Sequence, residues 1–329
     1  MSLTASPDPP PEPGGSSRNT LRVERKSKAA DGVVGLTLVH PGGRRLPDWA
    51  PGAHIDLILP SGVTRQYSLC GDRWDAYSYR IAVLREPGGR GGSAYVHDEL
   101  EQGDLVDVGG PRNNFPLVPS EEYLFIAGGI GVTPLLPMIR QAELLGVDWT
   151  LLYGGRTRDS MAFTDELGAH EGRVTLAPQD ECGLLALPAW LDGPPRPRTK
   201  VYACGPGRLL EAVGARCAHW PAGLLRTERF VPSVPRAPVR DEAFEVELAR
   251  QATSVTVEPG VTVLEAVRTA GVNVLSSCEQ GTCGTCETGV LAGRPDQRDS
   301  ILDDGERAAG DCMFICVSRS CGPTLILDL

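Results

Sequence analysis

Three cysteines near the C-terminus, Cys278, Cys283 and Cys286, follow the spacing C-x4-C-x2-C. Thiolates so spaced, completed by a distant fourth cysteine, suit a plant-type [2Fe–2S] cluster. Such a cluster with its thiolates is an anion and gains charge on reduction, so backbone N–H groups must point at it. A loop that turns them inward tolerates little side-chain bulk, and Gly281 and Gly284 lie inside the cysteine run. Cys312, Cys316 and Cys321 are the candidates for the fourth ligand. Cys316 sits in the apolar run Phe314-Ile315-Cys316-Val317, which reads as part of a strand over Phe314 to Ser318. It is the ligand expected, with Cys312 and Cys321 as ordinary thiols. Structural zinc is the competing chemistry, but it uses paired cysteine knuckles and only one pair is present here.

An iron–sulfur centre needs an electron source. Gly128, Gly129 and Gly131, followed by Thr133 and Pro134, join an apolar run to a helix. Such a turn lets backbone N–H groups and the helix start meet a pyrophosphate, although it does not match G-x-G-x-x-G. Cys204-Gly205-Pro206 ends a second apolar run. Ligands of open α/β sheets bind beyond strand ends of this kind. Taken alone, Cys204 reads as a buried structural thiol.

These residues need elements to hold them. From Leu21 to Phe115 the text reads as β: Ile55, Leu57 and Leu59 alternate, and Arg65 to Leu69 and Tyr79 to Leu84 look like strands. Gly and Pro clusters punctuate them, which suggests a barrel or sandwich. After Phe115 the pattern becomes strand (Tyr123 to Ala127), helix (Thr133 to Leu145), strand (Trp149 to Tyr153), a βαβ unit. Lys200 to Cys204 and Arg208 to His219 extend this α/β domain. Pro232, Pro235 and Pro238 mark a semi-rigid linker. Behind it, Phe244 to Leu248 and Thr324 to Leu327 read as strands, and Thr262 with Glu265 as a capping box opening a helix that stops at Gly271. The domains expected are a disordered Pro-, Gly- and Ser-rich tail over 1–20, a β domain over 21–117, an α/β domain over 118–231, a linker over 232–240 and a small domain over 241–329.

Charge narrows the function. The chain of 329 residues carries a net charge of -10, which argues against nucleic acid as the main partner. The acidity is uneven, because residues 241–329 hold 15 Asp and Glu against 6 Arg and no Lys. The small domain is therefore expected to steer onto a basic patch of an electron acceptor. No secretory pattern opens the chain, and the apolar stretch Tyr123 to Ile139 is broken by glycines and prolines. A cytoplasmic protein with no membrane contact is expected, and a monomer by default.

Together the motifs resemble the phthalate dioxygenase reductase family. The resemblance runs from about residue 21 to 329 and rests on Arg65-Gln66-Tyr67-Ser68-Leu69, Gly91-Gly92-Ser93, the turn from Gly128 to Pro134, Tyr153-Gly154-Gly155-Arg156, Cys204-Gly205-Pro206, Glu228-Arg229-Phe230 and the four cysteines. It implies three parts: a Greek-key β-barrel flavin domain, an α/β NAD domain like that of ferredoxin reductases, and a C-terminal β-grasp ferredoxin domain. It also implies FMN rather than FAD. Arg65, Gln66, Tyr67, Ser68, Ala82 and Val83 would line the flavin. Gly91, Gly92 and Ser93 would approach its phosphate, and Phe230 would pack on its ring. Thr133 would stand at the flavin and, with Gly128, Gly129, Gly131 and Pro134, at the pyrophosphate of NADH. Cys204, Gly205 and Pro206 would lie by the nicotinamide, and Arg156 by the adenosine. Arg156 with Arg158 could instead receive a 2′-phosphate, but NADH is the expected donor.

The expected path runs from NADH to FMN to [2Fe–2S] to a separate terminal oxygenase, of the Rieske type or an O-demethylase. A cytochrome P450 is the second choice of acceptor. A hydride carries two electrons and the cluster accepts one, so a flavin that can release them singly belongs between the two. The cofactors carry the chemistry, and no acid–base catalytic residue is expected.

Overall fold

The computed structural model describes residues 19–89, 91–170, 172–231, 237–302 and 304–329. Most of the expected tail, and Pro232 and Pro235 of the expected linker, lie outside the described residues. Six antiparallel strands come first: β1 (Asn19–Ala30), β2 (Val33–Val39), β3 (His54–Ile58), β4 (Thr64–Ser68), β5 (Ser78–Leu84) and β6 (Leu105–Arg112). They pair in the order β4-β3-β6-β1-β2-β5. The last strand thus inserts between the first and third, a Greek-key connection. The edge strands converge where the Cys70 N–H donates to the Arg80 carbonyl at 2.8 Å, closing the sheet into a barrel. Alternation does the filling: Leu36 and Leu38 point inward with Leu21, Val23, Ile55, Leu57, Ile81 and Val83.

Five parallel strands follow: β7 (Glu122–Gly128), β8 (Asp148–Gly155), β9 (Val174–Pro178), β10 (Thr199–Cys204) and β11 (Leu225–Glu228), in the order β11-β10-β7-β8-β9. Both faces are covered, which is why β7 reads as an unbroken apolar run. Phe125 and Ala127 pack on one face with the helix Leu135–Leu144, and Leu124 and Ile126 on the other with the helix Gly207–Cys217. The helix expected from Thr133 begins at Leu135, because Gly129–Val132 form a 3-10 turn first. The strand order reverses between β7 and β10, which opens a crevice beyond their C-terminal ends.

The remaining strands are β12 (Phe244–Leu248), β13 (Thr253–Val257), β14 (Glu287–Ala292), β15 (Pro295–Asp296), β16 (Cys312–Phe314), β17 (Arg319–Ser320) and β18 (Thr324–Leu327). A mixed sheet β13-β12-β18-β14-β16 grips the helix Val263–Thr269 through Val263, Leu264 and Val267, a β-grasp arrangement. Thr262 Oγ1 accepts the Glu265 N–H at 3.1 Å and starts that helix. One expectation fails here. Phe314 to Ser318 is not a strand, since residues 315–317 form a turn and the Ser318 N–H reaches back to the Phe314 carbonyl at 3.0 Å. The reason is topological. β16 pairs with β14, whereas Arg319 of β17 pairs with Asp296 of β15 in a separate ribbon, so the chain must change direction at Cys316.

The barrel and the parallel sheet share one core, in which Ala30, Val33, Ala82 and Phe115 meet Phe125 and Tyr202. The Phe115 ring stands edge-on to Tyr202, with centroids 5.3 Å apart. The Tyr202 hydroxyl donates to the Pro116 carbonyl at 3.0 Å and accepts the Val118 N–H at 2.7 Å. Glu166 adds an ionic clasp, bonding Arg80 of β5 at 2.8 Å and also Arg140. No helix among the described residues is long and apolar enough to cross a membrane. Phe115→Ala is expected to lose about 3–5 kcal/mol through the cavity left in this seam, read as a lower urea midpoint.

Candidate redox site

The flavin expected at β4 would meet an unusual pair. His54 and Ser68 face each other across β3 and β4, and both are buried. Neither His54 Nε2 nor Ser68 Oγ has a hydrogen-bond partner. Burial, followed by the Arg112 charge, pushes His54 down to about 4, so the ring is neutral. Unpaired buried polar atoms cost stability unless a ligand satisfies them, so this wall fits a polar heterocycle. Burial likewise pushes the Tyr67 phenol up to about 12, which keeps it protonated. Gln66 turns aside to donate to Asp56 at 3.1 Å, and Asp56 is also held by Arg112 at 2.6 Å.

The Arg65 side chain crosses the bare backbone at Gly92, where an added Cβ would lie 2.7 Å from Arg65 Cγ. Gly91 has φ 80°, a conformation that turns the chain into the short helix Gly92–Asp98. Ser93 Oγ accepts the Glu86 N–H at 3.0 Å and closes the loop beneath. An arginine lying across a glycine backbone is chemistry suited to a phosphate. Ala82 and Val83 separate, with Ala82 in the seam and Val83 in the barrel interior. Only backbone groups of Val83 can face a ligand at the seam.

The crevice between β7 and β10 is built by close approach. A Cβ on Gly131 would lie 2.3 Å from the Cys204 carbonyl oxygen, and one on Gly128 would lie 2.7 Å from both Pro206 and Leu209 side chains. One on Gly205 would strike the Gly128 backbone at 2.9 Å. The two motifs therefore interlock backbone to backbone. Gly129, with φ 54°, leads into the 3-10 turn, and Thr133 is buried with its hydroxyl on the Ile130 carbonyl at 2.9 Å. Pro134 caps the helix that follows. Cys204 is fully buried, and its thiol lies 3.9 Å from Glu228 Oε2. Burial, then the Glu228 charge, raises the thiol well above its usual value, and burial pushes Glu228 up to about 8. Phe230, two residues past β11, is exposed. Arg156 is exposed at the end of β8. Arg158 is bound by Glu181 through two contacts of 3.1 and 2.8 Å, a fork that leaves a 2′-phosphate facing a carboxylate.

The four expected cysteines come together as two pairs. Cys278 is hydrogen-bonded by Cys283, and Cys286 by Cys316. The Cys283 bond, aided by Thr282 and the Gln280 N–H, lowers Cys278 to about 5 and raises Cys283. Cys316 likewise lowers Cys286 and is itself raised. Backbone N–H groups reach the sulfurs at 3.3 Å from Gln280 to Cys278 and 3.4 Å from Thr285 to Cys283. Two thiol pairs suit the two irons of a [2Fe–2S] cluster. The loop is braced from behind: the Ser300 N–H donates to the Gly281 carbonyl at 2.9 Å, and buried Asp299 holds Arg307 at 3.1 Å. Cys312 lies in β16, and the Cys321 thiol donates to the Pro295 carbonyl at 3.6 Å.

Several residues at this site escape a reading of the sequence. Glu228 stands in a quoted motif, but nothing local marks its carboxyl as buried. Glu181 and Asp299 depend on partners 23 and 8 residues away.

Comparison with known proteins agrees with this arrangement. Residues 246–321 match the 2Fe-2S iron-sulfur cluster binding domain family. The chain is 38% identical over 314 residues to phthalate dioxygenase reductase of Burkholderia cepacia, covering 94% of this chain and 97% of that one. A solved phthalate dioxygenase reductase, described as modular for electron transfer from pyridine nucleotides to [2Fe–2S], superposes with TM-score 0.69 at 36% identity over 95% of this chain and 98% of that one. An intact type IV self-sufficient cytochrome P450 monooxygenase superposes with TM-score 0.91 at 41% identity over 99% of this chain, which spans only 43% of that chain. A Greek-key barrel and a parallel nucleotide-type sheet joined to a β-grasp ferredoxin define an oxygenase reductase component. The chain belongs to the phthalate dioxygenase reductase family.

Glu228 sets a pH dependence. Between its ordinary value of 4.5 and about 8 the folded protein keeps a proton that the unfolded chain has lost. Its contribution is therefore complete below 4.5 and is lost as pH rises through 8. The wild-type urea midpoint is expected to fall across that window, and Glu228→Gln to flatten the fall.

Proposed function

We propose that this chain is an NADH-dependent reductase that passes electrons through FMN and a [2Fe–2S] cluster to a separate terminal oxygenase. The pairing of Cys278 with Cys283 and of Cys286 with Cys316 carries the reading, because it prepares two adjacent iron sites at the mouth of a reductase fold. When bound, the cofactors convert one hydride, with release of NAD+, into two single electrons that leave one at a time. The chain's own residues bind and orient. Arg65 and the Gly91-Gly92-Ser93 backbone take the flavin phosphate, while His54 and Ser68 offer polar atoms to its ring. Gly128, Gly129, Gly131 and Thr133 admit the pyrophosphate, and Cys204 with Glu228 forms the buried floor under the nicotinamide. Phe230 covers the ring from the side where the donor enters. FMN rather than FAD is assigned on the family resemblance.

The acidic ferredoxin domain, with 15 carboxylates against 6 arginines in residues 241–329, is assigned as the docking face for the acceptor. A Rieske-type oxygenase or O-demethylase is the first choice. The similarity to part of a P450 monooxygenase chain favours a P450 as the second. Ten unbridged cysteines suit the reducing cytoplasm.

Purified protein is expected to show flavin and iron–sulfur absorption that NADH bleaches. A preparation holding zinc and no flavin would end the proposal. Cys316→Ser should lose the iron, whereas Cys312→Ser and Cys321→Ser keep it, as measured by iron and sulfide content. Glu181→Gln frees Arg158 for a 2′-phosphate and should raise kcat/KM for NADPH roughly tenfold, ~1.4 kcal/mol, with little change for NADH. Stopped-flow reduction of the acceptor should slow as ionic strength rises, and a salt-independent rate would count against charge steering.

A further inference from the structure

We infer that Asn114 is a positioning residue between the two redox centres: its amide seats the cysteine loop on the barrel rim and presents an N–H to the cluster held there. The inference rests on the functional reading above and adds the residue that joins its two halves. Asn114 follows β6 by two residues, in the segment that leaves the barrel for the parallel sheet. Gly284, between Cys283 and Cys286, faces it so closely that an added Cβ would lie 2.8 Å from Asn114 Nδ2 and 3.1 Å from Oδ1. Gly284 has φ 74°, so the loop both turns and bares its backbone at the point of contact.

Asn114 has little freedom to point elsewhere. Its neighbour Asn113 is fully used, donating to the Pro51 carbonyl at 3.0 Å and accepting the Phe115 N–H at 3.0 Å. Phe115 is buried in the seam against Tyr202. A residue clamped on both sides presents its side chain in one direction, toward the cysteine loop. There its Nδ2 is buried and has no hydrogen-bond partner. An orphaned buried donor is costly, and an anionic acceptor would offset that cost. The thiolates of this loop, with two irons and sulfide, form such an acceptor, and hydrogen bonds to the sulfurs raise a cluster's potential.

The same segment reaches the flavin wall. β3 lies between β6 and β4, with His54 opposite Arg112 on one side and Ser68 on the other. Two strand spacings, about 10 Å, therefore separate the root of the Asn114 loop from Ser68. The step concerned moves one electron: the flavin is oxidised by one and one ferric iron becomes ferrous, with no bond made or broken in the protein.

The test uses the full-length holoprotein and two variants. Asn114→Asp keeps the shape but exchanges the donor for an anionic oxygen, and Asn114→Ala removes it. Redox titration followed by visible and EPR spectra should show a lower cluster potential in both, largest in Asn114→Asp. The expected shift there is about tenfold in the flavin–cluster equilibrium, ~59 mV for one electron. Flavin reduction by NADH should keep its wild-type rate while the following cluster reduction slows. Variants that match the wild type in potential and in cluster reduction would overturn the assignment. So would a slowed transfer with unchanged potential, since that is packing alone. Wild-type protein whose flavin NADH cannot reduce would instead defeat the functional reading itself.

Discussion

The seam between barrel and parallel sheet is the constraint on which everything else depends. A Cβ on Gly52 would lie 1.9 Å from the Phe115 carbonyl oxygen, and Tyr202 bonds the backbone on either side of Leu117. The segment from Asn113 to Val118 is thus wedged between two folding units with no room to slide. Because β10 carries Tyr202 and ends in Cys204, fixing that segment also fixes the crevice between β7 and β10 relative to the barrel. Close-packed interiors do not deform gradually, so the barrel and the crevice share one geometry.

Charge is managed differently at each centre. Along β3, β4 and β5, burial keeps His54 neutral and Tyr67 protonated, and Glu166 holds Arg80 and Arg140 together. In the crevice between β7 and β10, burial raises both Cys204 and Glu228, which favours their uncharged forms. In the cysteine loop the order is reversed: N–H groups and neighbouring thiols favour thiolate at Cys278 and Cys286. Thiolates are the form in which cysteine binds metal. One chain therefore holds a crevice that favours uncharged groups and a loop that favours thiolates within a shared frame.

Much of this was legible in short-range patterns. The cysteine spacing, the glycine turn and the alternation of Ile55, Leu57 and Leu59 are local signals, because a loop around a cluster, a tight turn and a pleat each impose their own period. Thr262 and Glu265 announced a helix start that the structure contains. The strand expected over Phe314 to Ser318 was misread because apolar content cannot report a corner forced by pairing with β15.

The sequence by itself determined the kinds of element, their order along the chain and the chemistry of the ligands, since backbone conformation and side-chain type are local properties. Only the tertiary structure decided which groups meet: Cys286 with Cys316, Glu228 with Cys204, Glu181 with Arg158, and Asn114 with Gly284. Those meetings join residues up to 170 positions apart through strand order and seam packing, and neither leaves a periodic trace in the text of the chain.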